Sequence, residues 1–365
     1  MGLLLWLCVV LVAITLHEWA HYICARLQKV EVKAFSIGMG PVVFARNWRG
    51  TQWRLSAFPM GGYVEIDGMA PIERDGVLQP ARTGFAALRS RGKLLILAAG
   101  PLSNFVFALL LLTGMYIVQG QREVIQIPNR AEIASVVGQP ARDAGFKDGD
   151  VIVKIDGQPF PKTEVVDDVP RGGYLRVQDA LRSGGSHVFQ VVRQGKVLDV
   201  SFTWNPKPQE LFGISYGPQQ QIRTLTFENP VGAFWAALKF VVSAVPNAVF
   251  GFVETVQKVF SNPLDKNTGA VGPVGSSQIA GRFLSEMGIL GAIGFAVMIN
   301  LSLAILNLLP IPGLDGGRIL LVLIERVRRK QLRPEQEGWI TFLGFSFLML
   351  FMFLVLLGDL TRLFL

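Results

Sequence analysis

"GLLLWLCVVLVAITLHEWAHYICA", residues 2–25, is apolar from end to end except for one cluster, His17-Glu18-Trp19-Ala20-His21. At 1.5 Å per residue, a helix of this length crosses about 30 Å of hydrocarbon. Ionisable side chains at such depth cost about 2.5–3.5 kcal/mol each on insertion scales, so the cluster points to chemistry rather than packing. The run has no basic leader region and carries its charges where a leader peptide would be cut. It reads as a retained membrane span.

Three more runs share its character, at 94–118, 286–309 and 339–358. Half of the 365 residues are hydrophobic and the mean hydropathy is +0.40, values foreign to an ordinary soluble domain. The expected fold is therefore a polytopic α-helical membrane protein with four transmembrane helices.

The net charge of +8 is unevenly distributed. Residues 26–93 carry eleven Lys/Arg against five Asp/Glu, and 316–338 carry six against three. The long stretch 119–285 is nearly balanced, with seventeen basic and fifteen acidic residues. Positive-inside logic places the two basic segments in the cytoplasm and the balanced one outside, so the charge implies no nucleic-acid partner. Cys8 and Cys24, about 24 Å apart on one helix, cannot bridge each other there.

These signals divide the chain into a first span (1–26), a cytosolic-side, membrane-associated β region (27–92) and a second span (93–118). An extracytoplasmic α+β domain (119–208) and a linker (209–285) follow. The chain ends with a third span (286–318), a cytosolic loop (319–338) and a fourth span (339–365). The β region alternates at 30–36 and 51–57 between Gly and Pro breaks, as hairpins do. In the outer domain, short strands surround a predicted helix at 175–183. His187 falls there on a predicted strand and reads as a surface histidine. Residues 231–260 tempt a fifth span, yet Lys239, Glu254 and Lys258 mark an amphipathic helix on the outer membrane face. A fifth span would also put the basic 316–338 segment outside.

His17 and His21 stand at i and i+4, so both imidazoles leave one helix face and can hold one metal ion. Glu18 beside them is placed to deprotonate a water, the logic of HExxH zinc peptidases. A catalytic zinc needs a third protein ligand and an open position. "NLLPIPGLDGGR", 307–318, supplies a candidate: the prolines end the third span, and Asp315 follows on Gly-flanked irregular backbone. Asp-Gly alone is ordinary turn chemistry. With the N-terminus outside, however, the first and third spans both run inward and return Asp315 to the depth of His17. Asn104 and Asn307 are polar residues in or at the end of spans, suited either to interhelical hydrogen bonds or to holding substrate. "FPMGGYVEIDG", 58–68, offers Gly61, Gly62, Tyr63 and Val64 as a strand edge for an unwound substrate, or as plain local structure.

These motifs resemble the site-2 protease family of intramembrane zinc metalloproteases, in its bacterial PDZ-containing branch (regulator of sigma-E protease-like). The resemblance rests on "HEWAH", "GMGPVVF", "PMGGYVEIDG", "GPLSN", "GQPARDAGFKDGDVIVKIDG", "GPVG" and "NLLPIPGLDGG" in that order. It implies zinc held by His17, His21 and Asp315, and Glu18 as general base. It implies substrate contacts from the 58–66 hairpin, Asn104 and Asn307, and a PDZ-like outer domain, single here where many relatives carry two. It implies a bacterial cytoplasmic (inner) membrane location with the active site toward the cytosol. Substrates of similar proteins are single-span membrane proteins already shortened by another protease, such as anti-sigma factors, or remnant signal peptides. Relatives that carry an Asn five positions before the one matching Asn307 differ from this chain, which has Ser302 there and Asn300 two residues earlier. The competing reading is a catalytically silent membrane scaffold that binds peptides through the PDZ-like domain.

Overall fold

The computed structural model describes all residues except 71, 75–76, 80, 161–163, 167–168, 172–174, 207–210, 263–267 and 365. In chain order, helix α1 (Gly2–Leu27) leads into strands β1 (Val32–Trp48) and β2 (Thr51–Ile66) and a small hairpin, β3 (Ile72–Arg74) and β4 (Val77–Gln79). Helix α2 (Ser90–Gln119) precedes β5 (Gln121–Val136), the short α3 (Gln139–Asp143), β6 (Val151–Ile155) and β7 (Gln158–Pro159). Then come β8 (Glu164–Val166), β9 (Val169–Arg171), α4 (Leu175–Ser183), β10 (Gly185–Arg193), β11 (Lys196–Trp204) and β12 (Ile214–Leu225). The chain closes with α5 (Pro230–Ser261), α6 (Pro273–Leu308), α7 (Asp315–Arg328) and α8 (Pro334–Phe364).

Two compact units result, Met1–Gly120 with Phe227–Leu365, and Gln121–Thr226. In the first, α1, α2, α5, α6 and α8 are long and apolar enough to cross a membrane, five such helices among the described residues. This unit is a polytopic membrane protein with a β region. Small residues let its helices approach closely, as is usual where no water drives association. Ala108 on α2 and Ala233 and Ala237 on α5 are fully buried, and Gly2 lies against Ser277 and Gly281 of α6. Phe227 stacks on Tyr116 at the far end of α2.

The sheet of this unit is a long hairpin folded over itself. Residues 32–37 pair with 62–66, residues 42–48 pair with 51–56, and Ala34–Ile37 also lie beside Gln52–Leu55. Among the described residues, the 62–66 segment therefore has a strand on one side only. Tyr22 of α1 stacks edge-on against Phe35 and Trp53, pinning the sheet to the helix one position beyond His21. Met39, Val43, Phe44, Leu55 and Phe58 are exposed, an apolar surface on a segment expected to associate with the membrane.

Three sequence expectations change here. The third span is not one helix from 286 to 318: α6 begins at Pro273, breaks at Gly288 (φ 59°, ψ −137°) and ends at Leu308. Gly288 adopts a backbone conformation that side chains disfavour, which is why the break falls there. Asp315 is not on irregular backbone but opens α7, which turns 319–328 of the expected 319–338 loop into helix, while α8 takes up 334–338. Residues 214–225, placed in a linker by sequence, form β12 and belong to the second unit, because they pair with β5 along its whole length.

The second unit is a sheet in the order β11-β10-β6-β5-β12, with α3 and α4 packed on it. Its core is aromatic: Phe146, Phe189, Phe202, Phe212 and Trp204 meet edge-on or tilted at 4.8–5.9 Å. The helix expected at 175–183 is α4. His187 is not a free surface group; its Nδ1 lies 2.8 Å from Asp156 Oδ2, and its ring packs beside those of Phe189 and Phe202.

Candidate metal centre

The buried residues of α1 are Trp6, Ala13, His17, His21 and Ala25, one stripe at helical spacing. His17 and His21 thus project from the face that packs inward, where only apolar side chains stand otherwise. Asp315 reaches the same point from 294 residues away: His17 Nε2 is 3.0 Å and His21 Nε2 3.3 Å from Asp315 Oδ2, and the two Nε2 atoms are 3.2 Å apart.

This triangle has the chemistry of a cation site. His21 Nδ1 lies 2.7 Å from the Ile96 carbonyl of α2 and donates to it, so its Nε2 lone pair faces the centre. A second imidazole nitrogen and a carboxylate oxygen at about 3 Å would repel that lone pair without a positive charge between them. Ligands at about 2.0–2.1 Å from a tetrahedral zinc lie about 3.3 Å from one another, which fits the observed edges. Among the described residues these three side chains are the group able to hold a metal.

The turn before Asp315 explains its delivery. Pro310 and Pro312 end α6, and Gly313 takes a positive φ of 98°. A Cβ at Gly316 would overlap the carbonyls of Leu308 and Leu309, and one at Gly317 that of Ile311. Both glycines are required for α7 to start folded back on the end of α6. Gly344 of α8 closes the turn from outside, leaving no room for a Cβ beside the Pro312 carbonyl.

"GPLSN" in α2 forms the facing wall, and Gly100 is the residue that sequence reasoning missed. A Cβ there would sit 2.6 Å from His17 Nε2 and closer still to His21 Nε2. Pro101 has no N–H, so the helix is locally weakened at this wall. Ser103 Oγ donates to the Gly100 carbonyl at 2.7 Å and lies 3.3 Å from Leu16 O of α1, tying the helices together. Asn104, one turn on, is fully buried, and neither its Oδ1 nor its Nδ2 has a partner among the described residues. The visible signal was a Gly-Pro pair inside an apolar run, which alone reads as helix packing.

Glu18 is half-buried and electrostatically coupled to His21, His17 and Asp315, and it faces the Val64 backbone amide. Gly62 packs against it: a Cβ there would lie 3.5 Å from Glu18 Cγ and 3.0 Å from Ser36 O. The strand at Gly61–Val64 therefore runs beside Glu18, with Gly61 at φ 119° against Met39, and the Tyr63 hydroxyl accepting from Arg54 at 2.8 Å. Asn307 is half-buried near the end of α6, outside this set of contacts. Asn300, on the same helix, is 1% exposed; its Nδ2 donates to Ala296 O at 2.8 Å and its Oδ1 has no partner among the described residues.

Residues 5–351 match the family model described as Peptidase family M50. The chain belongs to peptidase family M50. A Clostridium acetobutylicum relative is 29% identical over 360 residues, covering 95% of this chain and 94% of its own. The zinc metalloprotease RasP of Shouchella clausii is 24% identical over 449 aligned positions, covering 99% of each chain. A chloroplastic membrane metalloprotease ARASP of Arabidopsis thaliana is 28% identical over 349 residues, covering 89% of this chain and 71% of its own. The M50 match spans His17, Glu18, His21 and Asp315, and the site-2 protease resemblance read from the motifs holds over nearly the whole chain. Zinc is the cofactor expected of an M50 metalloprotease with such relatives.

Proposed function

We propose that this M50 metalloprotease hydrolyses a peptide bond in or beside the transmembrane segment of single-span membrane proteins, after another protease has shortened them. One observation carries the reading: His17, His21 and Asp315 converge within an apolar helical unit, beside a carboxylate and a strand edge.

His17, His21 and Asp315 would hold the zinc, which when bound would acidify a water and polarise the scissile carbonyl. Glu18 takes the proton that the attacking water loses as its oxygen bonds to the carbonyl carbon. It returns that proton to the amide nitrogen as the C–N bond breaks, leaving a carboxylate and an amine. Ile96 O fixes the His21 tautomer, and Gly100 keeps the approach clear. A substrate helix must unwind to reach this point, and its freed backbone groups need partners. The 62–66 edge supplies them by strand addition, with Asn104 and Asn307 as further polar contacts.

The membrane reading keeps four spans in the bacterial cytoplasmic membrane, the centre toward the cytosol and the PDZ-like second unit outside. Packing within the first unit supports α5 as a surface helix. Its start meets Ala108–Tyr116 on α2, and Val259 and Phe260 near its end meet Phe347–Val355 on α8. Both contact stretches lie on the same side of the metal centre, beyond Gly100 on α2 and Gly344 on α8.

Elemental analysis of detergent-purified protein tests the centre directly. The expected result is about one zinc per wild-type chain, lost or weakened in both His21→Ala and Asp315→Ala. Zinc-free wild-type protein, or full zinc in Asp315→Ala, would remove the basis of the reading.

A further inference from the structure

The tip of the β1–β2 hairpin is a surface that proteolysis at the metal centre does not use. Phe44 pairs with Leu55, Arg46 with Trp53 and Trp48 with Thr51, so these residues share one face of the hairpin. Along that face, over about 14 Å, the chemistry changes in order. Phe44 and Leu55 are exposed apolar side chains, Arg46 then stands beside an indole, and Trp48 follows at the turn. Arg46, Trp48 and Trp53 line a hollow of about 280 Å³.

The tip is held in place yet keeps cations without partners. Thr51 is fully buried and its Oγ1 donates to Val32 O at 2.8 Å, while Arg26 at the end of α1 donates from Nη2 to Arg49 O at 3.3 Å. Trp53 packs against Tyr22 and Phe35, with ring centroids at 5.2 and 4.9 Å. The turn has a positive φ at both central residues, Arg49 (50°) and Gly50 (79°), positions that favour Asn, Asp or Gly. An arginine stands there nonetheless, its guanidinium 4.8 Å over the Trp48 ring. Residues 42–56 hold three arginines and no carboxylate. Arg54 is engaged, donating to Gln52 Oε1 at 2.6 Å and to the Tyr63 hydroxyl at 2.8 Å. Arg46 and Arg49 are exposed, and among the described residues neither guanidinium has a hydrogen-bond or ion-pair partner. The Trp53 indole N–H also lacks one.

We propose that this tip binds the phosphate of an anionic phospholipid headgroup. Arg46 and Arg49 meet the phosphate oxygens, the Trp48 and Trp53 rings lie at the level of the glycerol, and Phe44 and Leu55 reach the acyl chains. Apolar, aromatic and cationic chemistry in that order repeats the layers of a lipid leaflet from its interior outward, which favours a lipid over a soluble anion. Two unpaired guanidinium groups with no carboxylate nearby favour a net anionic headgroup over a zwitterionic one, whose own cation they would repel. The site is independent of the zinc reading.

Native mass spectrometry of the full-length protein in detergent tests it, by titration with dioleoylphosphatidylglycerol and, separately, with dioleoylphosphatidylcholine. Phosphatidylglycerol binds at least about tenfold more tightly, since only it offers the arginines a net negative charge. Arg46→Gln combined with Arg49→Gln abolishes that preference, and Arg46→Lys combined with Arg49→Lys retains it at reduced strength. Hydrogen exchange shows new protection at 44–54 with phosphatidylglycerol, and unchanged protection in α1 and α2 of both double variants. Glycerol phosphate at the same concentration gives no protection, because it lacks the chains that Phe44 and Leu55 meet. Chelation of zinc leaves lipid binding unchanged, which separates the tip from the metal centre. Equal binding of the two lipids, a preference that survives the glutamine substitutions, protection only outside 44–54, or protection by glycerol phosphate alone would each overturn the proposal.

Discussion

The two units treat their buried polar groups differently, although His187 Nε2 in the second also lacks a partner among the described residues. In the second, Asp150 is completely buried and fully paired: Arg193 donates from Nε and Nη2 at 2.7 Å each, and the Lys147 amide adds a bond at 2.9 Å. In the first, Asn104, the Asn300 carbonyl oxygen and His17 Nδ1 are buried with no partner among the described residues. Unpaired polar groups cost about 1–3 kcal/mol each where water is absent. The second unit spends its polar groups on stability. The first leaves Asn104 unsatisfied one turn from Gly100, where the substrate backbone of the proposed reaction would supply partners.

The sharpest test of that contrast is Glu18→Gln. Turnover of a single-span reporter should fall roughly 10²–10⁴-fold, the worth of a general base, with zinc content unchanged. Cleavage at the wild-type rate would end the role given to Glu18. Asp150→Asn should act in the other currency, costing about 2–3 kcal/mol of second-unit stability with zinc unaffected. Denaturant titration followed by hydrogen exchange in β6 and β10 checks this, and an unchanged midpoint would contradict it.

Gly100→Ala should weaken zinc affinity about 10–100-fold through the imidazoles it crowds, as loss of supporting groups does at other metal sites. Chelator competition measures it, and wild-type affinity would mean that α2 simply yields. Asn104→Leu separates function from packing. Removing unsatisfied groups leaves the melting temperature level or raises it, while turnover falls about tenfold. A drop in stability with normal turnover would instead make Asn104 a structural residue.

The smallest effect is expected at the end of the β region. Asp67 is held below the usual carboxylate range, first by the Lys33 hydrogen bond (Lys33 Nζ–Asp67 Oδ1 2.9 Å) and then by Thr83, against a modest effect of burial. Because the folded value is the lower one, this contribution is present above the unfolded carboxylate pKa and fades as pH falls through the folded value. The protection factor of the Phe85 amide, which bonds to Asp67 O at 2.8 Å, should fall with acid in wild type once intrinsic exchange is divided out, and lose that component in Asp67→Asn.

How much was legible beforehand varies residue by residue. The pairing of His17 with His21 follows from helical spacing, and their link to Asp315 from counting spans and basic loops. Gly100 was hidden, because a glycine in an apolar helix looks the same whether it faces lipid or an imidazole. Asn300 and Asn307 stand seven residues apart, about two full turns, and so share one face of α6; their burial differs because Asn300 lies inside the helix and Asn307 in its last turn. β12 escaped notice since "QQQ" at 219–221 reads as polar linker, and only pairing with β5 makes it a strand.

What the sequence alone determined is whatever depends on local periodicity and hydrophobic length: the apolar helices, the metal-binding face of α1, the basic loops and the family. Only the tertiary structure decided which distant groups share one point in space. The break at Gly288, the fold-back at Gly316–Gly317, the cleared wall at Gly100 and the pairing of β12 with β5 are all set by contacts between segments far apart in the chain. No local pattern encodes such contacts, because they depend on which backbones can approach each other without a side chain in between.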